Sequence, residues 1–183
     1  MSEYVFFCSH KEGSFPQFSN WFPAEYTSNG VKYPCVEKEF MCGKALAFGD
    51  QETADKIMAT EDAGEMKALG RGTKGYVDAE WMTKREDVMY NAVKAKFEQN
   101  VGLAAILILT ENKVIVEAAD YDKIWGIGYS DENAFANIDN WGENKLGKIL
   151  MRVREELKTK VGGDSFLTAE LKKMKISNDN IST

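Results

Sequence analysis

The chain has 183 residues, 44% of them hydrophobic and 28% charged, and a net charge of −6. That composition describes an ordinary globular domain with a substantial core, and its sign excludes long non-specific contact with a nucleic-acid backbone, though not a local basic pocket for one phosphate or pyrophosphate. The longest apolar run, Leu103–Leu109, is far too short for a membrane span, and a single histidine, His10, leaves almost nothing for a histidine triad or a His-rich metal site. Cys8, Cys35 and Cys42 are odd in number and lack zinc or redox spacings, and the N-terminus lacks the basic and apolar regions of a signal peptide, so reduced thiols in a cytoplasmic protein are expected.

Glu3–Phe7 reads as a short apolar strand. The following Gly13–Pro23 segment is dense in aromatic residues and carries Pro16 and Pro23, which predicts a packed segment, either an aromatic minicore or a pocket wall. Within Glu25–Tyr33, Ser28-Asn29-Gly30 predicts a hairpin turn. The organising stretch comes next: Pro34 ahead of it and Gly49 behind it predict a helix of about three to four turns, ending at Phe48. At roughly 100° per residue, Glu37, Phe40, Met41, Lys44 and Phe48 share one face. An acid and a lysine two turns apart therefore occupy a stripe that should be apolar. Charges there are costly unless Glu37 and Lys44 pair or face a polar cavity.

Asp50–Ala59 predicts a second helix, and Asp62 with Glu65 forms a capping box for a third that ends near Arg71. Arg71 lies between Gly70 and Gly72, which suits close approach of a phosphate or carboxylate; a solvated helix-end arginine is the alternative. Asp78 can cap the longest helix, Ala79–Gln99, whose stripe of Trp81, Val88, Ala92 and Ala95 also admits Arg85 and Lys96; their charged ends are expected to snorkel to solvent. Leu103–Thr110 predicts a buried helix, although its period also admits a strand, and Val114–Ala118 predicts a strand. The acids, aromatics and glycines of Ala119–Gly128 then follow a buried element, the setting in which loops carry function. Gly126-x-Gly128 lacks the third glycine and following helix of a dinucleotide fingerprint. Ser130–Asn140 predicts a polar, mobile loop. Leu146, Ile149, Leu150, Val153 and Leu157 form the stripe of a last core helix. Gly162-Gly163 marks a boundary, after which Ser165–Lys175 predicts a short peripheral helix and Ile176–Thr183 a frayed end. Truncation after Lys160 is accordingly expected to leave folding largely intact.

Several motifs in order resemble a known family. They are Phe18-Ser19-Asn20-Trp21, Tyr33-Pro34-x-x-Glu37, Lys44-Ala45-x-x-Phe48-Gly49-Asp50, Leu69-Gly70-Arg71, Trp81 and Lys96-Phe97-x-Gln99-Asn100, followed by Asp122-x-x-Trp125-Gly126-Ile127-Gly128 and Trp141-Gly142-x-Asn144-x-Leu146-Gly147. The set resembles the YbiA-like N-glycosidases, the NADAR family associated with NAD and ADP-ribose, over about residues 4 to 157. Two positions depart from it: Lys38 stands where the family motif usually has histidine, and Ala119 where it often has serine.

The resemblance implies an α+β, predominantly helical, single compact domain with a few short strands over residues 1–160, leaving 161–183 as a C-terminal extension. It also implies a hydrolase that cleaves the bond between ribose C1 and a base-type nitrogen, with no cofactor or metal. The partner would be a ribose- or ADP-ribose-containing substrate, with no membrane and no obligatory protein partner. Two substrate classes accompany the family: ADP-ribosylated guanine, and ribosylamino intermediates of riboflavin synthesis. A non-catalytic module that binds ADP-ribose or NAD is the alternative from another class.

N-glycoside hydrolysis passes through an oxocarbenium-like ribose and needs nearby negative charge, an oriented water and help for the departing nitrogen. Glu37 and Asp122 match the family's acidic positions and are the candidates for this work, with the assignment of acid and base open. Lys44 either supplies a cation or attacks the ring-opened C1 as a Schiff base. Trp81 and Trp125 are candidates for stacking on base or ribose, Arg71 and Lys96 for holding phosphate, and Asn20 and Asn144 for binding ribose hydroxyls. Gly126 joins them as a point of close backbone approach. For these positions a core or capping role is the alternative.

Overall fold

The computed structural model describes residues 3–9 and 13–181, with side chains as far as residue 175. His10 and residues 182 and 183, on which readings of the sequence fall, lie outside the described residues. In chain order the elements are β1 (Tyr4–Phe7), a 3₁₀ turn (Pro16–Phe18), β2 (Tyr26–Ser28), β3 (Val31–Tyr33), α1 (Val36–Ala47), α2 (Gln51–Ala59), α3 (Ala63–Arg71) and α4 (Asp78–Gln99). There follow α5 (Val101–Leu109), β4 (Val114–Glu117), α6 (Asp131–Ala134), a second 3₁₀ stretch (Phe135–Asn140), α7 (Lys145–Lys160) and α8 (Ser165–Ile181). The protein is 59% helical with few short strands, the α+β, predominantly helical class expected. Its elements gather into two compact units, residues 23–96 in one, and the described residues before 23 and after 96 in the other.

In the unit of residues 23–96, β2 and β3 pair antiparallel, with Tyr26 opposite Tyr33 and Ser28 opposite Val31. Asn29 and Gly30 both have positive φ, 49° and 79°, which is the backbone a two-residue hairpin requires. α1 starts after Cys35, an extended N-cap residue, and ends where Gly49 takes φ 71°. Asp50 then caps α2 by accepting from the Thr53 N–H at 3.1 Å, and Asp62 caps α3 by accepting from the Glu65 N–H at 2.7 Å. Gly43 permits the close approach of α1 and α4: a Cβ there would lie 2.7 Å from Val88 Cγ1.

In the other unit, β1 and β4 pair in parallel from Tyr4 opposite Val114 to Phe7 opposite Glu117. Phe18 is buried among the rings of Phe7, Phe15 and Phe97, so this part of the aromatic N-terminal segment is core. α7 buries all of Leu146, Ile149, Leu150, Val153 and Leu157, as its stripe predicts.

Two expectations are corrected in this unit. Residues 131–140 are helical rather than a loop, because Ala134 is fully buried in a cluster with Val116 and Ile127 and its carbonyl accepts from Trp141 Nε1 at 2.8 Å. The C-terminal helix reaches Ile181 instead of fraying from residue 176, and it packs against α5 with Leu167 and Leu171 buried. α5, Val-Gly-Leu-Ala-Ala-Ile-Leu-Ile-Leu, is apolar all round and so requires cover on more than the face that α7 supplies. Among the described residues, no helix is long and apolar enough to cross a membrane.

Candidate active site

α1 does not bury a single stripe. Its first turn is enclosed on every side: Val36, Glu37, Lys38, Glu39 and Phe40 are all buried. The acids there face the positive end of the helix dipole. Lys38 Nζ donates to the Met58 carbonyl at 3.2 Å, placing its cation at the C-terminal turn of α2. Burial raises the Glu39 carboxyl above the usual range, against the opposing influence of the Ser28 and Tyr26 hydroxyls of the hairpin. Glu37 is 8% exposed. It acts electrostatically on Cys35, whose thiol is raised chiefly by burial and further by Glu37, while Lys38 and Lys96 pull it down.

Lys96 belongs to this same group and does not snorkel. It is 1% exposed, amine included, and burial lowers its pKa to about 7. An amine so placed is a poor phosphate clamp, since burial disfavours its charged form.

The pairing of Glu37 with Lys44 is not what forms. Lys44 Nζ lies 4.1 Å from the centroid of the Tyr76 ring, and the carboxylate that acts on it is Asp78. Partial burial lowers its amine below the ordinary lysine value. The arrangement traces back to Asp50, whose second oxygen accepts from the Lys74 N–H at 2.7 Å and so anchors the segment that carries Tyr76. That ring stacks edge-on to Phe48 at 5.4 Å, and its hydroxyl donates to Asp78 at 2.6 Å. On the same side of α4, Trp81 packs on Phe40 at 5.3 Å and Lys84 Nζ lies over Phe48 at 5.6 Å. Trp81 is 6% exposed, so its ring serves the core more than a ligand. Arg71 is exposed in the last turn of α3 and makes no hydrogen bond or ion pair among the described residues.

In the second unit, Asp122 Oδ1 accepts from the N–H groups of Ile124 at 2.8 Å and Trp125 at 2.9 Å. These two bonds hold the loop after β4 in a tight turn and leave Oδ2 without a hydrogen-bond partner among the described residues. Trp125 is half-buried beside it. Gly126 is a packing position: a Cβ there would meet the Glu117 carbonyl at 2.7 Å. Asn144 is not available for a ribose hydroxyl in the way expected, because both ends of its amide are engaged on β4. Its Nδ2 donates to the Ile115 carbonyl at 2.9 Å, and its Oδ1 accepts from the Glu117 N–H at 3.0 Å. It holds φ 50° at the start of α7, and the Asn144 amide would also block any Cβ at Gly147. Asn20 is half-buried in the turn after Phe18.

Thus Glu37 and Lys96 gather around Cys35, Lys44 gathers with Tyr76, and Asp122 with Trp125. Sequence reasoning missed Tyr76 and Glu39 and read Arg85 as a snorkelling cation. Only Arg85 left a signal, as a charge on an apolar stripe.

A NADAR domain profile matches residues 6–158. The chain is 38% identical over 163 residues to N-glycosidase R617 of Acanthamoeba polyphaga mimivirus, covering 84% of this chain and 96% of that protein. It is 33% identical over 139 residues to riboflavin biosynthesis protein VVA0006 of Vibrio vulnificus (strain YJ016), covering 76% of this chain and 35% of that one. The NMR structure of Escherichia coli YbiA superposes with a TM-score of 0.71 at 27% identity, over 87% of this chain and 88% of YbiA. The chain belongs to the NADAR family of glycosidase-like hydrolases.

Proposed function

We propose that the protein hydrolyses the N-glycosidic bond between ribose C1 and a base-type nitrogen, with ADP-ribosylated guanine as the preferred substrate class. The observation that carries the activity is Glu37, a carboxylate enclosed in the first turn of α1, in a chain 38% identical to an N-glycosidase along most of its length. In the reaction, water adds its oxygen to C1, the C–N electron pair leaves with the nitrogen, and that nitrogen takes up a proton. Glu37 is the group assigned to stabilise the cationic ribose, and Asp122, with its open Oδ2, is the other candidate acid, each tested by itself below. Lys44 acts as a fixed cation rather than a nucleophile, consistent with its place on the Tyr76 face two turns from Glu37. Preference for a polyanionic ADP-ribosyl group rests on the cations and aromatic faces of residues 44–85. The similarity to a riboflavin biosynthesis protein favours the ribosylamino intermediates as a second reading.

The test is release of free base by the purified protein from both substrate classes. Glu37→Gln and Asp122→Asn are each expected to lower turnover at least about a hundredfold with native circular dichroism. A folded variant with near-normal turnover would make that acid structural. Borohydride added during turnover is expected to trap nothing on Lys44, and Lys44→Arg to keep part of the activity that Lys44→Ala loses.

A further inference from the structure

We propose that Arg85, with Lys44 and the face of Tyr76, is the seat for a phosphate or pyrophosphate carried by the ribosyl substrate. The proposal rests on the N-glycosidase reading and names an anion-binding residue that reading did not contain.

Arg85 stands on the face of α4 formed by Trp81, Lys84, Arg85 and Val88, the face that meets α1 through Phe40, Gly43 and Ala47. Its Nε is shielded from solvent and has no hydrogen-bond partner, and no ion pair of its guanidinium forms among the described residues. It is close enough to Tyr76 to act on that phenol electrostatically. Lys44 approaches the same ring at 4.1 Å. Lys44 thus lies over the Tyr76 ring and Arg85 acts on its phenol, and among the described residues neither cation forms an ion pair with a carboxylate. The nearby acids are otherwise engaged: Asp78 accepts the Tyr76 hydroxyl at 2.6 Å, and Glu80 lies 3.9 Å from Lys84 Nζ.

A shielded guanidinium N–H without an acceptor is costly. That cost is offset when a phosphate oxygen accepts from it. Arginine's planar fork suits phosphate oxygens, and Lys44 adds a point charge. The placement also fits the substrate's dimensions. Lys44 is seven residues beyond Glu37 on α1, a rise of about 10 Å, which matches the order of distance between a ribose C1 and the phosphates linked to its 5′ carbon.

The test measures binding and turnover separately. Inorganic pyrophosphate, ribose 5-phosphate and ADP-ribose are titrated calorimetrically into the wild-type protein, Arg85→Gln and Arg85→Lys. The wild type is expected to bind at least one probe, with Arg85→Gln about tenfold or more weaker and Arg85→Lys between them. Preference for ribose 5-phosphate identifies a monophosphate, and preference for ADP-ribose a pyrophosphate. In turnover, Arg85→Gln is expected to raise KM about tenfold on a phosphate-bearing substrate and to affect kcat less. On the matching substrate without phosphate, variant and wild-type KM should converge. Equal probe binding by Arg85→Gln and wild type, or no binding of any probe at millimolar concentration, overturns the seat. Should the glutamine variant not fold, the lysine variant decides: affinity equal to wild type for every probe overturns the seat. Probe binding lost in Arg85→Gln without base release by the wild type would keep the seat and reject the N-glycosidase reading. Base release with an unchanged KM in Arg85→Gln would do the reverse.

Discussion

Arg154 on α7 and Arg85 on α4 have similar settings in the sequence, each on a helix with an apolar stripe, and the structure treats them in opposite ways. Arg154 is 4% exposed and bonded within the fold: its Nη1 donates to Thr110 Oγ1 and to the Lys113 carbonyl, each at 2.8 Å, and its Nε donates to Glu155 at 3.1 Å. It ties α7 to the end of α5, where Lys158 also caps the Glu111 carbonyl at 2.8 Å. Arg85 carries a shielded N–H with no acceptor. A buried cation whose shielded donors are bonded within the protein belongs to the fold. A half-buried one with a shielded N–H left unbonded points to something outside it, because leaving such a donor unpaired costs on the order of 1–3 kcal/mol.

The sharpest way to break this comparison is to dismantle the region around Arg154. Truncation after Lys160 removes α8, including the buried Leu167 and Leu171. At roughly 1.5–3 kcal/mol for each fully buried leucine, the loss is about 3–6 kcal/mol, a large drop in melting temperature. This reverses the expectation drawn from the sequence. A truncated chain that melts within about 2 °C of the full one would show that α8 contributes little to the core.

A smaller effect separates the two arginines directly. Arg154→Met leaves the Lys113 carbonyl and the Thr110 hydroxyl without their donor and is expected to cost about 1–3 kcal/mol in urea unfolding. Arg85→Met removes no bond and is expected to change stability by less than about 0.5 kcal/mol. Equal losses in the two variants would make Arg85 a structural cation.

A pH-dependent effect concerns Lys96, whose folded pKa of about 7 lies below the unfolded value of 10.5. Between those values the unfolded state binds more protons, so this residue's contribution to stability improves as pH rises from about 7 to 10.5. Below about pH 7 both states carry the proton and the burial penalty is present in full. The stability of the wild type minus that of Lys96→Met, measured at pH 7 and pH 10, is expected to increase. A difference that stays flat would place the amine's folded pKa near the ordinary lysine value.

Much of the fold was legible because its signals are local. Asn29-Gly30 specified its turn, Asp50 and Asp62 each capped a helix three residues ahead, and the α7 stripe identified all five of its core positions. The motifs that define the family were legible for the same reason, since each lies within a few residues of chain. The environment of the candidate site was not. Lys44 meets Tyr76 because Asp50 accepts from Lys74, 24 residues away, and no helical period reports such a bond. Lys96 is enclosed with its amine because its neighbours include Cys35, the N-cap residue of another helix.

By itself, then, the amino-acid sequence determined helices α1 to α4, the hairpin, the apolar stripe of α7 and the family. Hydrophobic period, caps and turn chemistry act over one or two turns of chain. Tertiary structure alone decided that Glu37 and Lys44 stand apart, that Asn144 is bound up on β4 and that α8 covers α5. It also left Arg85 with an unmade bond. Each of these depends on which distant group fills the space beside a polar atom or an apolar face, and only packing settles that.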